Sequence, residues 1–205
     1  MESARMIYEF GAHAGALEGY VYGWAGVDAN YLPRWTENLV KEYQALPGEL
    51  RSELQPGLDG TLGRALRTLL RYLEECSEAV RNLMLVVKEL PSSPDDFAQR
   101  GRVPPGSLRE LYEFAANAGA FEGYAYIRAR VDYKKLSPWA GNLARQFGRL
   151  PETYRAAIEE PCRLTLGRAV QSLRAFLGDD DPVIVTLMSM IKGELPPSPD
   201  DFVRH

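Results

Sequence analysis

The sequence predicts an all-α fold: a tandem duplication of a helical bundle of roughly 95 residues, with about five helical segments per copy and a pseudo-twofold relation between copies. Three observations predict it. Apolar residues recur at helical spacing in both halves of the 205-residue chain, while alternating β-branched runs bounded by turn residues do not occur. A shift of 104 positions lays "YEFGAHAGALEGYVYGWAGVD" (Tyr8 to Asp28) on "YEFAANAGAFEGYAYIRARVD" (Tyr112 to Asp132) without a gap. The phrase "ELPSSPDDF", ending at Phe97, returns as "ELPPSPDDF", ending at Phe202, after one inserted residue. About four positions in ten agree over roughly ninety, far beyond chance self-similarity at so long a period. The joint falls in "AQRGRVPPGS", a polar segment punctuated by Gly and Pro, which divides the chain near Pro104 into units 1–103 and 104–205.

The first helix of each unit is expected to begin at Ser3 or Ser107, and Ser107 with Glu110 has the spacing of a capping box. Along the first helix, Gly11, Gly15, Gly19 and Gly23 stand four residues apart and share one slowly drifting stripe. Each costs on the order of 1 kcal/mol of helix stability relative to alanine, so the stripe needs a compensating contact. Gly119 and Gly123 keep it in the second unit, between Ala115 and Ile127. The neighbour is expected to be the first helix of the other unit, with another helix of the same unit as the alternative.

A second helix follows Pro33, or Ser137 and Pro138, since proline suits a first turn whose N–H has no partner. Its stripe is Trp35, Leu39, Tyr43 and Leu46, matched by Trp139, Leu143, Phe147 and Leu150. Pro47 and Pro151 open a short helix or turn. The fourth segment runs from about Leu62 through Leu66, Leu69 and Leu73, against Leu166, Val170, Leu173 and Leu177. The last starts near Ser77, or near Asp181 and Pro182, and buries Leu83, Met84 and Val87, against Leu187, Met188 and Ile191. "SPDDF" closes each unit with helix-start grammar: serine as cap, proline first, two carboxylates near the positive end of the helix dipole. Phe97 and Phe202 are expected to tuck that turn onto the bundle; a capped turn is preferred to a site made by the paired aspartates.

Composition narrows the function. A net charge of -4 and a pI near 5.4 leave no overall positive field for a phosphate backbone, so nucleic acid is not expected as a partner. "MESARMIYEF" carries charge where a signal peptide needs an apolar core, and the longest uncharged runs are about half a membrane span, so a cytoplasmic chain off the membrane is expected. Cys76 and Cys162 are too few for a disulfide framework and read as reduced, inert thiols.

No metal site or cofactor is expected: a carboxylate di-iron centre needs Glu-x-x-His pairs on two helices, and beside His13 the chain has only His205. One internal histidine also rules out a Ser–His–Asp set, and phosphate-loop and dinucleotide patterns are absent. No catalytic residues are assigned, and an enzyme using Glu18 with a tyrosine for proton transfer is the least favoured reading.

Polar and aromatic residues shared by both units form the candidate ligand-binding set: Glu18, Tyr20, Tyr22, Trp35 and Arg64, with Glu122, Tyr124, Tyr126, Trp139 and Arg168. Tyrosine and tryptophan can floor a pocket between helices, although filling the core is the simpler role. Arg64, Arg67 and Arg71 line one helix side and read first as a solvated face. "IRARVDYKK" has no counterpart in "YGWAGVDAN", so a specialised anionic partner would belong to the second unit. The leading expectation is a non-enzymatic tandem-domain protein, monomer or homodimer, that binds another protein as adaptor or regulatory subunit, its doubled surfaces suiting bivalent binding. The alternative is a small-molecule binding or sensing protein with a pocket in each bundle.

Overall fold

In a computed structural model the described residues are 2–22, 24, 26–92, 103–127 and 131–197. Among them the chain is all helical: α1 (Glu2–Val21), α2 (Leu32–Ala45), α3 (Gly48–Tyr72), α4 (Glu78–Met84), α5 (Leu108–Tyr126), α6 (Tyr133–Arg149), α7 (Glu152–Ala157), α8 (Glu159–Leu173) and α9 (Pro182–Met188), with a 3₁₀ turn at Ala29–Tyr31 before α2. The "SPDDF" turns, with Phe97 and Phe202, lie outside the described residues, as do Gly23 and His205.

Local chemistry explains the helix starts. Ser107 caps α5 by accepting from the Glu110 N–H at 3.1 Å, while the Glu110 carboxylate turns back one residue further than a capping box requires, accepting from the Gly106 N–H at 2.6 Å. Ser77 and Asp181 cap α4 and α9, which coincide at the 104-residue shift: Glu78 maps to Pro182 and Met84 to Met188. The one-residue insertion falls at Gly193, whose φ of +90° favours glycine. It lets Pro196 cover Gly167 as Pro91 covers Gly63.

Several boundaries differ from the sequence expectation. Ser3 lies inside α1. Before α6 the cap is Asp132, which accepts from the Lys134 N–H at 3.1 Å, so the helix starts ahead of Ser137 and carries Pro138 inside it. The matching Asp28 caps the 3₁₀ turn through the Asn30 N–H at 3.0 Å, and only then does α2 begin with Pro33 in its first turn. Pro47 opens no separate short helix: α3 continues through Pro56 to Tyr72. In the second half the corresponding stretch breaks at Ile158 into α7 and α8, with Pro161 in the first turn of α8, where a missing N–H costs least. Met84 is 47% exposed, and α4 instead buries Val80 and Leu83, with Val86 just beyond it.

The core is one continuous cluster that draws on both halves. At its centre α1 and α5 lie side by side in the same direction: Gly11 meets Tyr112 and Ala115, Gly15 meets Ala116, and Gly19 meets Ala120 and Tyr124. The contacts are reciprocal, since Gly119 meets Ala12 and Gly123 meets Ala16 and Tyr20. A Cβ on Gly15 would overlap the Ala116 carbonyl, and one on Gly119 would overlap that of Ala12, so backbone lies on backbone with no room for a side chain. Aromatic rings close the interface at both ends of the helices: Tyr8 with Phe114 at 6.0 Å, Phe10 with Tyr112 at 6.2 Å, Tyr20 with Tyr126 at 6.3 Å and Tyr22 with Tyr124 at 6.0 Å between centroids.

Around this pair α3 packs on α1 and α5, and α8 on α5 and α1, while α4 sits against α2 and α3, and α9 against α6 and α8. A buried polar tie joins three elements of the first half. The buried Gln55 accepts from the Tyr43 hydroxyl at 3.0 Å and donates to Asp59 at 2.9 Å and to the Val86 carbonyl at 3.0 Å, joining α2, α3 and the end of α4. In the second half Phe147, Glu159 and Arg163 stand at the matched positions of Tyr43, Gln55 and Asp59.

Candidate functional site

Two buried ion pairs stand behind the central helices. Glu18 on α1 receives Arg64 of α3 through both oxygens, Nε to Oε1 at 2.5 Å and Nη2 to Oε2 at 3.1 Å, with side-chain exposures of 3% and 2%. Glu122 on α5 is held by Arg168 of α8 in the same way. A bidentate guanidinium satisfies two carboxylate oxygens at once, which makes an ion pair tolerable at this depth. Arg64 is therefore part of the interior and does not continue the solvated face expected from its spacing with Arg67 and Arg71.

Each of these carboxylates lies at the back of a cleft whose walls come largely from the other half. The first cleft, about 230 Å³, is lined by Tyr8, Glu9, His13, Trp35, Asn38 and Glu42 of the first half and by Glu122, Thr165 and Arg168 of the second. The second, about 830 Å³, sets Glu18, Gly19 and Tyr22 of α1 against Asn117 and Tyr124 of α5 and Lys135, Trp139, Asn142 and Gln146 of α6. At the 104-residue shift His13 maps to Asn117, Trp35 to Trp139, Asn38 to Asn142, Glu42 to Gln146 and Glu122 back to Glu18, so the two clefts share a plan. Where the alternative expectation placed a pocket in each bundle, these two clefts instead take walls from both halves.

The candidate residues divide accordingly. Trp35, Glu122 and Arg168 line the first cleft; Glu18, Tyr22, Tyr124 and Trp139 line the second. Tyr20 packs at a tilt behind Trp35 with ring centroids 5.5 Å apart, and its hydroxyl accepts from the Asp28 N–H at 2.8 Å; the Tyr124 hydroxyl accepts from the Asp132 N–H at the same distance, its ring 5.8 Å from that of Trp139. These bonds anchor the loop leading to α2 or α6 and so fix the tryptophan-bearing helix. Tyr126 packs on Tyr20, and Arg64 faces a third, smaller hollow with Asp59, Arg109 and Glu113.

Sequence reasoning missed Asn38, Glu42, Asn142 and Gln146 as lining groups. Their signal was available: Trp35, Asn38 and Glu42, like Trp139, Asn142 and Gln146, follow the three-and-four spacing of a single helix face. Asn117 donates to Gln146 at 2.9 Å where His13 meets Glu42 at 2.9 Å, so a neutral amide pair replaces a titratable one.

Burial opposes the charge on His13, but the Glu42 hydrogen bond and the charges of Glu42 and Glu122 outweigh it and the repulsion of Arg168, raising its pKa above the ordinary 6.5. Glu122 is raised above 4.5 by burial, against the pull of Arg168 and His13. For His13 the folded value exceeds the unfolded one, so its stabilisation is complete below pH 6.5 and is lost as pH rises through the folded pKa. The melting temperature is expected to fall between pH 6 and 8 by more in the wild type than in His13→Asn, which copies the second half; parallel curves would refute the assignment.

Burial pushes the Cys162 thiol up to about 12, which leaves it protonated and unreactive at neutral pH. Among the described residues no group of three or more His, Cys, Asp or Glu is placed to hold a metal ion, and no helix is long and apolar enough to cross a membrane. No family model matches the chain, and neither a curated protein nor a solved structure matches it.

Proposed function

We propose that the chain is a tandem duplication whose two halves together form a small-molecule binding or sensing protein. The observation that carries this is the second cleft: about 830 Å³, within the range of sites that enclose small organic ligands, with aromatic faces and a few convergent polar groups. Duplication is supported by the 104-residue sequence match and by the reciprocal glycine contacts of α1 and α5, the pattern of two copies about a twofold axis. Location of both clefts at the junction gives a reason for the duplication, since each half supplies the other's back wall.

Binding is tested by thermal denaturation against a panel of amphipathic aromatic compounds, with Asn142→Leu as the blocked cleft. Asn142 is partly exposed, so this variant is expected to melt with the wild type in the absence of ligand. A saturable rise in melting temperature, absent in Asn142→Leu, is the expected result. No rise with any compound, or an equal rise in the variant, would sink this proposal. A protein-binding role has separate support in Leu85 at 70% exposure and its neighbours Met84 and Leu90, apolar side chains left in solvent around the end of α4.

A further inference from the structure

The two clefts share a plan but not a charge. In the first, the lining carboxylates of Glu9, Glu42 and Glu122 outnumber Arg168, with His13 as the only other basic group. In the second, Glu18 is the only lining carboxylate among the described residues, and both of its oxygens are met by Arg64 behind the wall. The other charged lining group among the described residues is Lys135, at the first turn of α6, exposed and with Nζ 6.0 Å from the Tyr22 ring. Where the first half has Glu42 and His13, the second has Gln146 and Asn117, and where it has Tyr31, the second has Lys135. The Gln146 exchange removes a negative charge, the Lys135 exchange adds a positive one, and the Asn117 exchange replaces a titratable base with a neutral amide.

Resting on the small-molecule proposal above, we infer that the second cleft is selective for anionic aromatic ligands: a planar ring system carrying a carboxylate, sulfonate or phosphate. Trp139, Tyr22 and Tyr124 offer flat faces to the ring. Asn117, Asn142 and Gln146 carry both donors and acceptors, so they suit polar ring substituents of either kind without a charge of their own. Lys135 stands at the mouth, where its ammonium can meet an anionic group without that group being buried. A cation gains little here, because the one carboxylate already holds a guanidinium.

The test compares two probes of similar shape, 1-anilinonaphthalene-8-sulfonate and its uncharged analogue N-phenyl-1-naphthylamine, by fluorescence titration of the full chain. Sulfonate binding should be the tighter of the two. Lys135→Ala should weaken the sulfonate by roughly fivefold to tenfold, the scale of one lost charge-assisted contact, while leaving the uncharged probe unchanged. Lys135→Arg should retain sulfonate binding, and Lys135→Glu should abolish it. Because Lys135 is exposed, all three variants should melt with the wild type, which separates loss of the contact from loss of the fold. Asn142→Leu should block both probes, placing them in this cleft. If both probes bind equally and Lys135→Glu changes neither, the cleft binds small molecules without anion selectivity and the inference falls alone. If neither probe binds, or Asn142→Leu leaves both unaffected, the small-molecule proposal falls with it.

Discussion

Gly15→Ala is expected to lower the unfolding free energy by about 3 kcal/mol or more, although alanine is the better helix former by roughly 1 kcal/mol. The sign is decided by what the new methyl would strike. At Gly15 it meets the carbonyl oxygen, carbon and Cα of Ala116, and at Gly119 the same three atoms of Ala12. Backbone within a helix cannot rotate aside as a side-chain tip can, so α1 and α5 must separate, loosening the ring pairs above and below. A 3 kcal/mol loss in a chain of this length corresponds to a fall in melting temperature of roughly 6–12 °C. Gly148→Ala is the control, because nothing lies within 4 Å of a Cβ there; it should be neutral or stabilising by up to about 1 kcal/mol. A Gly15→Ala protein as stable as Gly148→Ala, by thermal or urea denaturation, would show that the α1–α5 approach is not this close.

Sequence pattern showed best where the physics is local. The helical class, the Ser77, Ser107 and Asp181 caps and the Leu62–Leu66–Leu69 stripe follow from residues within a turn or two of one another, and the structure has them. The start of α6 was misread because Pro138 is a strong signal for a first turn, whereas Asp132 had already begun the helix and Pro138 sits on its exposed side with one N–H missing. Met84 was misread because three apolar positions matched between the units do not say which edge of a short helix faces out. The clefts depended on a different scale. Glu18 and Arg64 are 46 residues apart, and Trp139 is placed opposite Glu18 by its packing on Phe121 and Tyr124 of α5. Helical periodicity carries no information at that distance, so the glycine stripe was visible as a need for a neighbour while the grooves beside it were not.

Replacing Arg64 with leucine is expected to cost about 3–5 kcal/mol, because it removes a bidentate guanidinium from a buried carboxylate. Arg64→Lys should be nearly as damaging, since one ammonium cannot meet both Glu18 oxygens in the forked geometry observed. Removing both charges tests whether the cost lies in the stranded carboxylate or in the volume of the guanidinium. Glu18→Leu combined with Arg64→Met keeps the volume and removes the desolvated ions, and it should recover most of the loss, bringing the double variant within about 1 kcal/mol of wild type. Arg168→Leu should cost less, because Arg168 is 12% exposed against 2% for Arg64 and water can reach what it leaves behind. If the pair serves only stability, the double variant should also bind the aromatic probes like the wild type, because Glu18 stands behind the second cleft with its charge already compensated. A double variant that folds yet no longer binds would instead make Glu18 a ligand contact in its own right.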